Sequence, residues 1–329
     1  MELAGKQLST RSWNPLRCSG QRLPIQAVLS IKLLIFYVIL SKAPGGSHTI
    51  APFLDFFESI PYPDTIRFLL KLGIAVASLS VLFNRCTRTA VIYIGLASLF
   101  IILWSRLNYS NNQVFLALVL LLVGLRREND RFWGVRVTIG LLYFGAGLNK
   151  LLTSSWQDGS VMRFWLQEDM HVWWLSSIQP ISGTQGVFVA VAWSVILLEL
   201  TLSMCFLAPR FLKIGISLGF AFHAGMLVAT GGVISHLFFY LMTSAYLLFI
   251  AWPDKQKYTV RGGRYLKLLR LLDFDHQFKW VSSPAQTLVL ENETERKQGP
   301  RALVRTIIYL PSVWLFAGAL YALYIFGWP

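Results

Sequence analysis

The chain has 329 residues, of which 55% are hydrophobic and only 14% are charged. Soluble domains carry about a quarter of charged residues, so this composition excludes an ordinary soluble enzyme and predicts a polytopic membrane protein. The formal net charge is +14. We attribute this charge to membrane orientation, because Lys and Arg collect in alternate loops, and we expect the lipid bilayer and no nucleic acid as a partner.

Nine apolar runs are long enough, or nearly long enough, to cross a bilayer as helices. They lie near 25–42, 67–84, 89–107, 113–125, 135–152, 186–207, 211–231, 233–252 and 304–328. The fourth run is short, and a tilted or half-buried helix explains it as well as a full span. We therefore predict an all-α polytopic membrane protein with about nine transmembrane helices and a small cytoplasmic α+β insertion before the last helix.

These runs divide the chain into four parts. Residues 1–24 form a cytoplasmic segment, 25–252 a transmembrane domain of about eight helices, 253–303 a small cytoplasmic segment and 304–329 the final span. Positively charged loops stay in the cytoplasm, so we expect the N-terminus inside and the C-terminus outside, in the cell membrane. The first run follows a long polar stretch, which indicates a retained span and no cleaved signal peptide.

The segment 253–303 differs from the rest of the chain in composition. Its pattern predicts a strand at 258–260, a Gly-Gly turn, an amphipathic helix at 265–272 and two later strands, FKWVSS and TLVLEN. The charged residues 291–297 are expected to form a solvated linker. The segment is too short for a large core, so we expect it to dock on the membrane or on other loops.

Lys150 ends the almost wholly apolar segment 135–152. A lysine at lipid depth costs several kcal/mol unless it reaches the interface or faces a protein interior. Its helical neighbours Tyr143, Ala146 and Gly147 form a face suited to close helix packing. Two readings stay open: a lysine that reaches the headgroups from a helix end, and a desolvated lysine that works as a base.

Glu199 and His223 are two further ionisable residues inside predicted spans. Gly215 and Gly219 precede His223 at intervals of four, and this ridge predicts a face packed against another helix. A structural buried pair explains these residues as well as a functional site does. Since Lys150 ends its run and the other two lie deeper, we expect contact through intervening groups or water rather than one short salt bridge.

The segment 153–185 interleaves tryptophans with polar residues, which is typical of a helix in the membrane interface. It is either an aromatic belt or the cover of a site that opens outward. Cysteine and histidine spacing excludes other chemistry: no CxxC pair and no HExxH motif occur, so we predict neither dithiol redox chemistry nor a metal site.

Four motifs in order resemble the membrane domain of the vitamin K-dependent γ-carboxylase family, often called the horizontally transferred transmembrane (HTTM) domain. They are NNQVFL at 111–116, YFGAGLNKL at 143–151 followed by WQDG at 156–159, LELTL at 198–202, and the Phe-His pair at 222–223. The similarity covers roughly 85–252. Sporulation-delaying-protein B, a relative involved in maturing a secreted peptide toxin, shares this membrane domain.

The resemblance implies a catalytic group and a cofactor. Lys150 would be the base that deprotonates a reduced, lipid-soluble quinone. By the same resemblance Glu199 and His223 would orient or tune it, and the substrate pocket would be lined by Tyr143, Trp156, Asn112 and Gln113. The chain departs from the family pattern at Asn149 and Gln113, where the family has a second lysine and a histidine.

A second resemblance concerns residues 258–283, which are similar to the small thioredoxin-like DCC domain without its cysteines. It implies a structural remnant that lacks redox activity. Three functional hypotheses remain for the whole chain. It is a membrane enzyme, or former enzyme, for a quinone-like molecule or a secreted peptide; a non-catalytic factor that binds a secreted peptide or a membrane protein for maturation or export; or a transporter.

Overall fold

The computed structural model describes residues 23–41, 52–127, 130–170, 172, 184–230, 236–253, 256–262, 266–273, 276–283 and 287–325. Most of this part of the chain is helical. Between residues 23 and 253 the helices are α1 (Ile25–Leu40), α2 (Pro63–Leu82), α3 (Thr87–Trp104), α4 (Asn111–Leu125), α5 (Trp133–Leu151), α6 (Ser154–Gln157), α7 (Ser160–Arg163), α8 (Thr184–Leu207), α9 (Leu212–Ala229) and α10 (His236–Tyr246). Later in the chain lie α11 (Leu266–Leu272), α12 (Pro300–Ile308) and α13 (Pro311–Ile325).

Four helices of the described residues are long and apolar enough to cross a membrane. They are α2, α3, α8 and α9, the last with its preceding turn from Pro209. The pair α12 and α13 adds a fifth if it is counted as one bent span. The expected nine spans are therefore not supported. Three apolar runs form shorter helices, since α1 has 16 residues, α4 has 15 and α10 has 11. The run 135–152 forms α5, which has 19 residues but is not among the helices apolar enough to span.

The last predicted span is interrupted. The apolar run 304–328 divides into α12 and α13, whose axes differ by 66°. Pro311 stands at the break, and proline lacks the N–H that would continue the helical hydrogen bonds of α12. The hydropathy of the run gave no sign of this bend.

The helices bury apolar clusters between them and present an apolar outer surface. Trp104, Phe115 and Phe206 are among the largest fully buried side chains. On the outside, large apolar residues such as Leu197 and Met204 of α8 are exposed, as expected of helices that face lipid. Glycines set the closest approaches: a Cβ on Gly95 of α3 would lie 2.8 Å from the Ala117 carbonyl oxygen of α4.

A small sheet lies between α10 and α13. Its strands are β1 (Thr259–Arg261), β2 (Lys279–Val281), β3 (Val289–Glu291) and β4 (Arg296–Gln298), in the order β2-β1-β3-β4. β1 and β2 are parallel and joined through α11, whereas β3 is antiparallel to both β1 and β4. The predicted strand, helix and two later strands are thus confirmed in position.

Residues 291–297 do not form the predicted solvated linker. They form the turn and much of the second strand of the β3–β4 hairpin, with Leu290 opposite Lys297. The Asn292 Oδ1 atom accepts hydrogen bonds from the backbone N–H groups of Thr294 and Glu295 and so fixes the turn. The charged sequence lacks the apolar alternation that would have indicated a strand.

Candidate functional site

Lys150 and Glu199 form a direct, largely buried ion pair between α5 and α8, in which Glu199 is buried and Lys150 is partly exposed. The Lys150 Nζ atom donates to Glu199 Oε1 at 2.8 Å and to Oε2 at 2.7 Å. The two side chains are 17% and 9% exposed. This corrects the expected contact through water or other groups. A lysine that pairs with a carboxylate inside the bundle is also not one that reaches out to the headgroups.

The offset of the two helices explains the direct contact. α5 and α8 run antiparallel, with Gly147 beside Leu200 and Gly140 beside Leu207. A Cβ on Gly140 would lie 2.8 Å from Leu207 Cγ, so the glycines allow the close approach. Because α8 begins well beyond the end of α5, Glu199 lies level with Lys150 although it is deep in its own helix.

The segment after α5 covers the ion pair. The Trp156 ring lies 5.0 Å from Lys150 Nζ, within the range of a cation–π contact. Trp156 belongs to a buried apolar cluster of α6, α7, the following π-helical turn at 164–169 and α8, made of Trp156, Met162, Leu166, Val172, Phe188, Ala192 and Ile196. This part of segment 153–185 therefore covers Lys150, while His171, Trp173 and Trp174 lie outside the described residues.

Gly159 determines how closely the segment after α5 packs on α8. Gly159 has a φ of +78°, and a Cβ there would lie 2.6 Å from the backbone nitrogen of Val189. Both the left-handed conformation and the close approach favour glycine. The turn between α6 and α7 thereby lies directly on α8.

A second set of polar side chains meets at Tyr143, which lies two helical turns before Lys150 on α5. The Tyr143 hydroxyl lies 2.6 Å from His223 Nε2 of α9 and 2.6 Å from the Tyr246 hydroxyl of α10. All three side chains are buried, and His223 is 1% exposed. We call Tyr143, His223 and Tyr246 the aromatic triad.

The predicted glycine ridge positions the triad and is confirmed. Gly215 faces Cys205 of α8, and Gly219 faces the Tyr246 ring so closely that a Cβ would overlap its hydroxyl. His223 follows on the same buried face of α9. The ridge packs against protein and not against lipid.

The direction of the hydrogen bonds in the triad follows from counting donors. The Tyr143 hydroxyl has one hydrogen, and His223 Nδ1 has no partner. If Tyr246 donates to Tyr143 and Tyr143 donates to Nε2, only the Nδ1–H group is left unpaired. The opposite direction leaves both Nδ1 and the Tyr246 hydroxyl hydrogen unpaired. Each unpaired buried group costs about 1–3 kcal/mol, so the first direction is favoured.

The ion pair and the triad are neighbours rather than one hydrogen-bonded site. Tyr143 connects them along the chain, because it lies on α5 two helical turns before Lys150. No hydrogen bond among the described residues joins His223 to Lys150 or Glu199. Tyr246 was not predicted as a site residue, because a tyrosine within an apolar run does not indicate which residue it will contact.

Asn112 and Gln113 lie at the start of α4, where the Ser110 hydroxyl accepts from the Gln113 backbone N–H at 3.2 Å. No hydrogen bond or ion pair in the described ranges joins either side chain to Lys150, Glu199 or His223. Their place in a substrate pocket stays a prediction.

Comparison with known proteins adds no further assignment: no protein family, no curated protein and no solved structure matches the chain. Within the described residues, no group of three or more His, Cys, Asp or Glu side chains could hold a metal ion. The chemistry of the site therefore has to be argued from the ion pair and the triad.

Proposed function

We propose that the chain is a membrane-embedded enzyme that removes a proton from a lipid-soluble, quinone-like molecule. The buried Lys150–Glu199 pair carries this proposal. Two charges inside an apolar bundle are costly, and intramembrane ionisable residues mark functional sites by default. The resemblance to the γ-carboxylase membrane domain supports the same assignment of Lys150, and a reduced quinone is the cofactor or substrate class that it implies.

The geometry defines how a proton would be taken up. As an ion pair, Lys150 is an ammonium group that donates to both carboxylate oxygens, so it has no free lone pair. It becomes a base only when Glu199 takes one of its protons. A substrate hydroxyl would then give its proton to the amine, and the pair would end with one additional proton. Glu199 thus primes Lys150, and Trp156 limits the access of water.

The test uses a short-chain menaquinol as the probe, with the full chain in lipid nanodiscs under anaerobic conditions. Binding is measured by co-purification, and ionisation by the absorbance of the hydroquinone anion. Lys150→Arg retains the positive charge, but arginine does not give up its proton. We expect this variant to bind the probe and to lose the anion signal.

A matched control comes from the adjacent residue. Asn149 is exposed on α5, and no hydrogen bond of its side chain occurs in the described chain. Asn149→Ala should therefore keep both binding and ionisation. An undiminished anion signal in Lys150→Arg, or a wild-type protein that does not bind the probe, contradicts the proposal.

The second candidate is a non-catalytic membrane factor that binds a secreted peptide or another membrane protein. The observation that favours it is the complete pairing of Lys150: both carboxylate oxygens and an aromatic ring already engage its ammonium group. On this alternative the pair fixes α5 against α8, and Lys150→Arg preserves the activity of the host process.

We also propose an orientation for the chain. The N-terminus faces the cytoplasm and the C-terminus the outside of the cell membrane, because Lys and Arg collect in alternate loops.

A further inference from the structure

The small sheet has one apolar face and one charged face. Side chains alternate along a strand, so Val260, Trp280 and Leu290, which are paired across the sheet, share one face. Val260 and Leu290 are buried there in one cluster with Leu269 of α11 and Ala302 of α12. Both helices therefore cover the same face of the sheet.

The opposite face of the sheet carries charged side chains beside the buried Val289. It carries the ion pair between Arg261 and Glu291 at 2.9 Å, with Arg296 3.9 Å from the same carboxylate. The two arginine side chains of these contacts are more than half exposed. One face of the sheet is thus covered by α11 and α12, and the other carries charged side chains.

The helices α11 and α12 expose apolar side chains on the side away from the sheet. We call this surface the outer helical face, and it consists of Leu268, Leu271, Val304, Ile307 and Ile308. Leu271 is 68% exposed and Val304 56%. On α12 these residues lie opposite the buried Ala302 and Thr306, so the helix is apolar on the side that no described residue covers.

The outer helical face is tied to the start of the apolar helix α13. The Ser312 hydroxyl of α13 donates to the Leu272 carbonyl at the end of α11. The Trp314 Nε1 atom of α13 donates to the Ile308 carbonyl at the end of α12 at 2.8 Å. With 66° between α12 and α13, α12 lies closer to the membrane plane than to its normal if α13 crosses the bilayer.

Basic side chains border the same face. Lys267, Arg270 and Arg301 are exposed, and none of them forms an ion pair with an acidic residue of the described chain. Apolar residues beside unpaired cations are typical of helices that lie in the headgroup region of anionic membranes.

We propose that the outer helical face docks on an anionic bilayer surface and holds the sheet unit against the membrane. Leu268, Leu271 and Val304 enter the boundary between headgroups and acyl chains, and the three cations contact lipid phosphates. The continuity of α12 with α13 selects a bilayer rather than a protein as the occupant. This inference is independent of the chemistry at Lys150.

The test uses the full chain in nanodiscs after replacement of Cys18, Cys86 and Cys205. A single cysteine is introduced by Val304→Cys, and by Val281→Cys as the control. Val281 is also an exposed valine, but it lies on the charged face of the sheet. Each cysteine carries a nitrobenzoxadiazole label, whose emission reports lipid or water. Lipids with a nitroxide near the headgroup should quench the label at 304 at least about twofold more than the label at 281.

A second arm tests the lipid charge. Quenching at position 304 should fall when the anionic phospholipid is replaced by phosphatidylcholine, and also in the variant Lys267→Glu with Arg270→Glu. Equal quenching at the two positions overturns the proposal. A label at 304 that is shielded from both the lipid nitroxide and aqueous iodide indicates a protein contact and overturns it as well. Quenching that is insensitive to lipid charge overturns the anionic specificity.

Discussion

The Lys150–Glu199 pair leads to a prediction about stability that does not depend on a substrate. Lys150→Met leaves Glu199 buried without its partner, and Glu199→Met leaves Lys150 in the same state. Breaking a buried pair by removing one partner costs about 3–5 kcal/mol, with the lower value expected here because Lys150 is partly exposed. The double variant removes both charges and should be more stable than either single variant.

A double-mutant cycle measured by unfolding in detergent tests this coupling. Stability losses that simply add would mean that the two side chains do not interact, and the direct contact would then be wrong.

The direct contact between Lys150 and Glu199 was not predictable from their spacing in the sequence. The sequence places each residue on its own helix, but the offset of α5 against α8 depends on glycine contacts over several turns.

The aromatic triad predicts the tautomer of His223. Because Tyr143 donates to Nε2 in the favoured arrangement, the ring hydrogen should be on Nδ1, which ¹⁵N NMR of the labelled histidine distinguishes. Tyr246→Phe should keep this tautomer, since Tyr143 still donates. Tyr143→Phe should shift the population toward Nε2–H, since the donor is lost.

Tyr240→Phe is the matched control for this measurement. Tyr240 is also a buried tyrosine of α10, but its hydroxyl donates to the Leu33 carbonyl and not to the triad. A hydrogen on Nε2 in the wild-type protein would contradict the proposed direction. His223 and Tyr143 were found from sequence because polar groups stand out within apolar runs. The role of Tyr246 depends on its contact with Tyr143, which lies 103 residues earlier.

At the scale of elements, the glycine ridge of α9 determines how closely the helices pack. Gly219→Leu places a side chain where the Tyr246 ring lies, so the folded yield should fall severalfold. Gly225→Leu is the matched change on the same helix, where a Cβ meets nothing within 4 Å. Folded protein is measured by size-exclusion chromatography after extraction. Equal yields of the two variants would mean that the ridge faces lipid.

The helices also show which features of the structure the sequence could predict. The spacing of Gly215, Gly219 and His223 predicted a packed face, because helical periodicity alone puts them on one side. Helix lengths were harder to predict from the sequence. Hydropathy detects an apolar run, but it does not register the break at Pro311, and it ignores the strand formed by the charged residues of β4.

At the scale of the whole molecule, the proposed orientation predicts opposite signals from two reporter fusions. A fusion at Glu128, in an arginine-rich loop, should report the cytoplasm, and one at Pro329 should report the outside. Alkaline phosphatase and green fluorescent protein are suitable reporters, since each is active on one side only. The same signal at both positions would contradict the orientation.

The central claim is that the Lys150–Glu199 pair accepts a proton from a bound hydroquinone. The most direct measurement is the ionised fraction of menaquinol at equal occupancy in the wild-type protein, Lys150→Arg and Asn149→Ala. We predict anion absorbance in the wild type and in Asn149→Ala, and loss of this absorbance in Lys150→Arg, because arginine does not give up its proton and so cannot accept one from the hydroquinone. Wild-type ionisation in Lys150→Arg would contradict the claim.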